Sequence, residues 1–196
     1  SNTAVGESSL RANTTGSENT AVGANTLTAC TTGEKNIAVG FNAGAAITTG
    51  VRNVLIGDDA GDALTSAGSN VAIGYQALGA DTLGQHNVAL GQDALSTQNF
   101  TTATNSYNTG IGSAALASNT TGTENTAVGG AALSANTTGS DNVAVGYTAL
   151  DAATTADRNT AVGYGALTTV TTGAQNTAVG YNSLANNTAD ANCANC

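Results

Sequence analysis

The phrase Asn125-Thr126-Ala127-Val128-Gly129 recurs, unchanged or closely varied, from one end of this chain to the other. Copies begin at Asn2, Asn19, Asn36, Asn53, Asn70, Asn87, Asn108, Asn125, Asn142, Asn159 and Asn176, spaced by 17 residues nine times and by 21 once, between Asn87 and Asn108. A fixed period of this length marks a repeat array, in which each unit contacts only its neighbours. It overrides the one or two globular domains that 196 residues would otherwise suggest, and residues 1–196 read as a single array.

With the Asn numbered position 1, position 5 is Gly in every copy, position 4 is Val, Ile or Leu, position 2 is Thr, Val or Ile, and position 3 is nearly always Ala. Positions 2 and 4 share one side of a strand and position 3 takes the other. The phrase therefore reads as a short strand ended by glycine. Position 9 is Leu in nine copies, from Leu10 to Leu184, and is expected on a second strand, filling the core opposite position 4. Thr-Thr-Gly at positions 13 to 15, as in Thr137-Thr138-Gly139, supplies a second turn through the freedom of its glycine. One repeat is then strand, turn, strand, turn. Stacking eleven such rungs at the inter-strand spacing gives an all-β parallel solenoid roughly 50 Å long.

Stacking places equivalent residues above one another. Asn19, Asn36, Asn53, Asn70, Asn87, Asn108, Asn125, Asn142, Asn159 and Asn176 then form a structural ladder, each amide donating to one neighbouring rung and accepting from the other. Position 17 gathers Glu18, Lys35, Arg52, His86, Glu124, Asp141 and Arg158, so it faces water. Within the column Glu18 lies next to Lys35 and Asp141 next to Arg158, but Lys35 also lies next to Arg52; exposed pairs of this kind are worth little. Position 6 holds Phe41, Tyr75, Tyr147, Tyr164 and Tyr181, the last three on consecutive rungs. These five are the candidate ligand or partner surface, because an aromatic row offers apolar area with a polar tip; a packing ladder that shields the turn is the competing reading.

Three departures from the pattern stand out. Gly44 and Gly61 occupy position 9, with Ile47 and Leu64 three residues later, as though the core residue had moved along the second strand. Four extra residues fall between Ser96 and Tyr107, a loop that serves either as a binding edge or as a tolerated bulge. The last unit loses its Thr-Thr-Gly and ends Asn192-Cys193-Ala194-Asn195-Cys196.

Catalytic and metal chemistry find little support. His86 is the sole histidine and has no nucleophile or orienting group at a meaningful spacing. Asp58, Asp59 and Asp62 cluster but do not recur, and calcium needs six to eight oxygens. Cys30, Cys193 and Cys196 cannot all pair within one chain; Cys193 and Cys196 resemble half of a zinc site with no second half, so free or intermolecularly paired thiols are expected. No cofactor is indicated. A net charge of −9 with four basic residues argues against nucleic acid and against an anionic membrane surface. No apolar run reaches transmembrane length and no signal peptide is visible. The chain opens and closes inside the repeat pattern, which reads as a segment of something longer. Asn13, Asn99, Asn119, Asn136 and Asn186 match the glycosylation pattern, a default outcome of an Asn- and Thr-rich sequence.

The Asn-Thr-Ala-Val-Gly units, with variants Asn70-Val71-Ala72-Ile73-Gly74 and Asn142-Val143-Ala144-Val145-Gly146, resemble the head repeats of YadA-like trimeric autotransporter adhesins and, equally, repeats of phage and virus tail fibres. The resemblance spans essentially the whole chain. It implies a left-handed parallel β-roll, three chains side by side, and the short strand with its Ala near the shared axis. The period of 17 and the regular Ala-Leu depart from that family's shorter repeats. The expected function is a structural, non-enzymatic segment of an extracellular, cell-surface or virion fibre with an adhesive lateral surface. Its partners are other copies of itself, as a homotrimer or an end-to-end polymer, and a glycan or protein on a cell surface. A self-assembling extracellular filament is the alternative, with an ice-binding solenoid behind it. Ice-binding faces need hydroxyls at alternating positions, whereas adjacent residues such as Thr120 and Thr121 point to opposite sides of a strand.

Overall fold

A computed structural model of the chain describes residues 1–186. Cys193 and Cys196, and the altered end of the last unit, lie outside the described residues. Every described unit contributes one three-residue strand: Thr3–Val5 (β1), Thr20–Val22 (β2), Ile37–Val39 (β3), Val54–Ile56 (β4), Val71–Ile73 (β5), Val88–Leu90 (β7), Thr109–Ile111 (β9), Thr126–Val128 (β10), Val143–Val145 (β11), Thr160–Val162 (β12) and Thr177–Val179 (β13). These form one eleven-stranded parallel sheet in chain order. The register is in phase throughout, Ala127 facing Ala144 and Ala144 facing Ala161. The fold is an all-β parallel solenoid, and among the described residues it contains no helix.

The strand's two sides are assigned the opposite way from the sequence expectation. Position 3 points into the coil: Ala21, Ala38, Ala72, Ala89, Ala127, Ala144 and Ala161 are fully buried. Positions 2 and 4 point out, leaving Val5 57% exposed and Ile37 41% exposed. Leu therefore packs opposite Ala, not opposite the position 4 residue. The second strand is also absent. Positions 6 to 11 run as successive turns in which positions 7 and 9 are left-handed, as at Ala131 (φ 53°) and Leu133 (φ 53°). A left-handed leucine costs roughly 1–2 kcal/mol, offset by burying the whole side chain, worth about 2–3 kcal/mol. Main-chain hydrogen bonds to the next rung continue through these turns, such as Leu133 N–H to Ala149 O at 2.9 Å. The ordinary rung is thus cross-linked to its neighbours on all sides with only one formal strand, and two rungs add a short second one, Gly84–Gln85 and Thr104–Asn105.

Glycines serve two different purposes. At position 5 φ lies near +130°, for example +139° at Gly129, a region that residues with a side chain rarely adopt. At position 15 the backbone is not left-handed. Glycine is needed there for close approach, since a Cβ on Gly33 would sit 2.6 Å from Gly50 O and 3.0 Å from Cys30 Sγ. The left-handed residue of that turn is position 17, as at Glu124 (φ 59°) and Asp141 (φ 61°).

The asparagines of position 1, the exposed Asn2 apart, are buried and tie each rung to the next. Asn125 donates its side-chain amide to Gly139 O of its own rung at 2.8 Å, while its Oδ1 accepts the Asn142 backbone N–H at 3.0 Å. Asn142 Nδ2 reaches the same oxygen at 3.0 Å. One side chain closes its own coil and receives the next.

A third interior column, position 12, escaped the sequence reading. It holds Cys30, Ile47, Leu64, Asp81, Gln98, Asn119, Asn136, Ala153 and Val170, all buried. Ile47 and Leu64 therefore stand in a core column of their own, and the space left by Gly44 and Gly61 is taken from the other side. Leu55 replaces the usual Ala at position 3, and a Cβ on either glycine would come 2.7 Å from a Leu55 methyl.

Candidate interaction surface

The outward side of the sheet is a flat strip two columns wide. Position 4 is apolar in all eleven units, and position 2 is β-branched in all eleven. Vertical neighbours cover part of each side chain, yet Ile56, Ile73 and Val143 remain 36–37% exposed. No element of the described chain lies over this strip.

Its two margins are the columns singled out in the sequence. On one side runs position 6, where Phe41, Tyr75, Tyr147, Tyr164 and Tyr181 are all exposed. Tyr147 stacks on Tyr164 with ring centroids 5.5 Å apart, and Tyr164 on Tyr181 at 5.3 Å. Rings stacked along the axis cover one another's faces and present edges and hydroxyls sideways. A sugar packs on ring faces, so this stack suits edge and hydroxyl contacts better than carbohydrate stacking. Phe41 and Tyr75 stand on rungs without a stacked partner.

Position 17 forms the other margin. Glu18, Lys35, Arg52, His86, Tyr107, Glu124, Asp141, Arg158 and Gln175 are exposed there. His86 lies against Tyr107, ring centroids 5.1 Å apart.

The four-residue insertion is anchored from inside. Gly84–Gln85 (β6) pairs with Thr104–Asn105 (β8) beside the main sheet. The buried Asp81 carboxyl group accepts the N–H groups of Gly84 at 3.0 Å and Phe100 at 3.1 Å and the Gln98 amide at 2.6 Å. Gln98 Oε1 in turn accepts from Asn108 at 2.8 Å and Asn119 at 3.2 Å. Phe100 is tucked to 7% exposure over this network. Asp81→Ala should leave three buried donors unpaired and cost roughly 3 kcal/mol or more. Denaturant melting would measure the loss, and limited proteolysis should become selective for residues 100–104. A loop that stays protected would show that Asp81 does not hold it.

The acidic turn is divided among different contacts. Asp58 accepts the Phe41 N–H at 3.2 Å, and Asp59 accepts the Asn42 amide at 3.0 Å. Asp62 borders a pocket of about 230 Å³ with Gln76, Gly79, Ala80 and Ser96. Burial, and then the Asp59 charge, push the Asp62 carboxyl above its ordinary value of 3.8. The folded state therefore holds the Asp62 proton more tightly than the unfolded state does. Stability from this group falls as pH rises from the unfolded value through the folded one. Asp62→Asn should raise the melting temperature at neutral pH and flatten that slope, as read from thermal scans between about pH 3 and 7. A neutral-pH melting temperature that falls would overturn the assignment.

Among the described residues no group of three metal-ligating side chains forms, and no helix is long and apolar enough to cross a membrane. Cys30 is buried, and burial raises its thiol pKa. Threonine hydroxyls at position 13 are engaged between rungs, as Thr137 Oγ1 to Thr154 O at 2.9 Å. The outward strip carries at most one threonine per rung, at position 2, because position 4 is always apolar. Of the glycosylation-pattern residues, Asn119 and Asn136 are fully buried, whereas Asn99 is exposed on the inserted loop. Comparison with family models, curated proteins and solved structures gives no match to this chain.

Proposed function

We propose that this chain is a structural, non-enzymatic segment of an extracellular or virion fibre, and that its flat strand face is where it associates laterally with copies of itself. The observation that carries the reading is the strip formed by positions 2 and 4. Eleven strands at the usual spacing and three residues of width give about 500 Å² of contiguous, largely apolar surface. That is at the upper end of what a monomer leaves exposed without a partner. The interior supports a rod over a catalyst, because its polar side chains are spent on ladder and loop hydrogen bonds. An adhesive role toward a cell-surface glycan or protein would fall to the position 6 margin and the 96–107 loop. The homotrimer implied by the family resemblance is one way to cover the strip. It would direct positions 2 and 4, not the Ala, toward the shared axis.

Sedimentation velocity tests the proposal. The purified chain should run as a defined oligomer, and replacing Ile56, Ile73 and Val128 with Thr should shift it toward monomer while leaving the far-ultraviolet spectrum unchanged. A chain that stays monomeric at the highest attainable concentration would remove lateral association. End-to-end fibres under the electron microscope would favour the filament instead.

A further inference from the structure

We infer that the strand face recognises a second copy of this chain in an antiparallel, two-fold arrangement, with the axis passing beside His86. The inference shares with the proposed function only the premise of lateral self-association. It is carried by the order of charges along the position 17 margin. In the order of the strands they precede, these residues run Glu18, Lys35, Arg52, Ser69, His86, Tyr107, Glu124, Asp141 and Arg158. Read outward from His86 the signs are antisymmetric. Arg52 mirrors Glu124, Lys35 mirrors Asp141, and Glu18 mirrors Arg158, while neutral Ser69 mirrors neutral Tyr107.

Consider two copies placed strip against strip and related by a two-fold axis lying between the faces along the central strand, Val88–Leu90. Each margin then meets the same margin of the partner with the rung order reversed. All six charged residues between Glu18 and Arg158 meet an opposite charge and none meets a like one. The register is set by the charges, and in it every one of the eleven described strands faces another. Within a single chain the same column sets Lys35 next to Arg52 and Glu124 next to Asp141, and among the described residues none of the four makes an ion pair. Arg52, between Lys35 and Ser69, and Glu124, between Tyr107 and Asp141, have no opposite charge beside them in the column, and the partner supplies one to each.

The other columns fit the same register. On the position 6 margin Tyr164 meets Ala24, Tyr75 meets Ser113, and Asp58 meets Gly130, so a large or charged side chain meets a small one; Phe41 and Tyr147 form an aromatic pair. In the strip, Thr20 meets Thr160, Ile37 meets Val143 and Leu90 meets Leu90. Strip and margins together span about 50 Å by 20 Å, or about 1,000 Å² on each copy, which reaches the size of a stable specific interface. A parallel arrangement, three-fold or two-fold, instead puts position 17 against position 6 at the same height. Arg52 then meets Asp58, but Glu18, Glu124 and Asp141 meet no cation.

The test is a charge swap read by analytical ultracentrifugation of the full chain. The parent should be a dimer that weakens between about 50 mM and 500 mM salt. Arg52→Glu should weaken association about tenfold or more, since two-fold symmetry introduces the like-charge contact twice. Adding Glu124→Arg should restore it. Circular dichroism would check that each variant stays folded. In a background with Cys30→Ala, Cys193→Ser and Cys196→Ser, His86→Cys should form a covalent dimer on mild oxidation, because it faces its own copy across the axis. A trimer, rescue of Arg52→Glu by Asp58→Arg in place of Glu124→Arg, or absence of the His86→Cys cross-link would each overturn the antiparallel pair while leaving lateral self-association standing. A monomer throughout would overturn both.

Discussion

Gly129→Ala is expected to break the rod near its C-terminal third, costing about 4 kcal/mol or more, whereas the adjacent Gly130→Ala should cost under about 1 kcal/mol. The two positions differ only in backbone geometry and in what a methyl group would touch. Gly129 has φ +139°, a conformation that costs a side-chain-bearing residue roughly 1–3 kcal/mol even in open space. Space is lacking as well, because its Cβ would lie 2.6 Å from the Gly146 carbonyl carbon on the next rung. That neighbour is backbone, held in place by the Gly146 N–H bond to Val128 O at 2.8 Å. Relief therefore requires opening the inter-rung ladder itself. At Gly130 the Cβ would be 3.2 Å from a carbon of the exposed Tyr147 ring, which can swing aside. In a one-dimensional array a broken interface also divides cooperativity. Gly129→Ala should thus convert one unfolding transition into two, seen by denaturant titration followed by circular dichroism. Equal effects at the two glycines would mean that position 5 is not held by its neighbour.

The second large effect is a compensated pair in the core. Leu55→Ala should cost about 3–4 kcal/mol, the usual penalty for emptying a fully buried leucine site. Gly61→Leu alone should also destabilise, since the Cβ already meets one Leu55 methyl at 2.7 Å and the Leu64 Cδ1 at 2.9 Å. Together, Leu55→Ala and Gly61→Leu rebuild the Ala-and-Leu arrangement of the ordinary rung, and φ +55° at Gly61 matches the left-handed leucines of the same column. The double variant should recover most of the loss, with a coupling of about 2–3 kcal/mol in a double-mutant cycle. Additive losses would show that Leu55 and the two glycines do not share one volume.

These two cases separate what each level of description settles. The repeat period, the β character of Asn-Thr-Ala-Val-Gly and the parallel stacking were legible in the sequence, because a fixed spacing of Asn and Gly leaves little but an in-phase coil. Columns 6 and 17 were also legible as exposed margins, since rings and charges of both signs alternate there without a common size or polarity. The orientation of the strand was not legible. Alternation defines two sides but does not say which one is inside, and hydropathy favours the Val side. Size overrides it: each rung is thin, a left-handed leucine from the facing turn fills it, and only a methyl-sized residue fits opposite. Leu55 is the exception that shows the constraint, because it enters only where Gly44 and Gly61 make room.

The inserted loop and position 12 were hidden for a related reason. Asp81, Gln98, Asn119 and Asn136 are polar residues in an interior column, so no apolar period marks them. Several of their partners, such as the Phe100 N–H for Asp81 and the Gln98 amide oxygen for Asn119, are brought to them only when rungs stack. The sequence by itself determined that this chain stacks, how often it turns and which residues recur at each level. The tertiary structure decided which side of the strand is core and which side is left apolar and open. That choice depends on the volume enclosed between strand and turn, a quantity no single repeat carries.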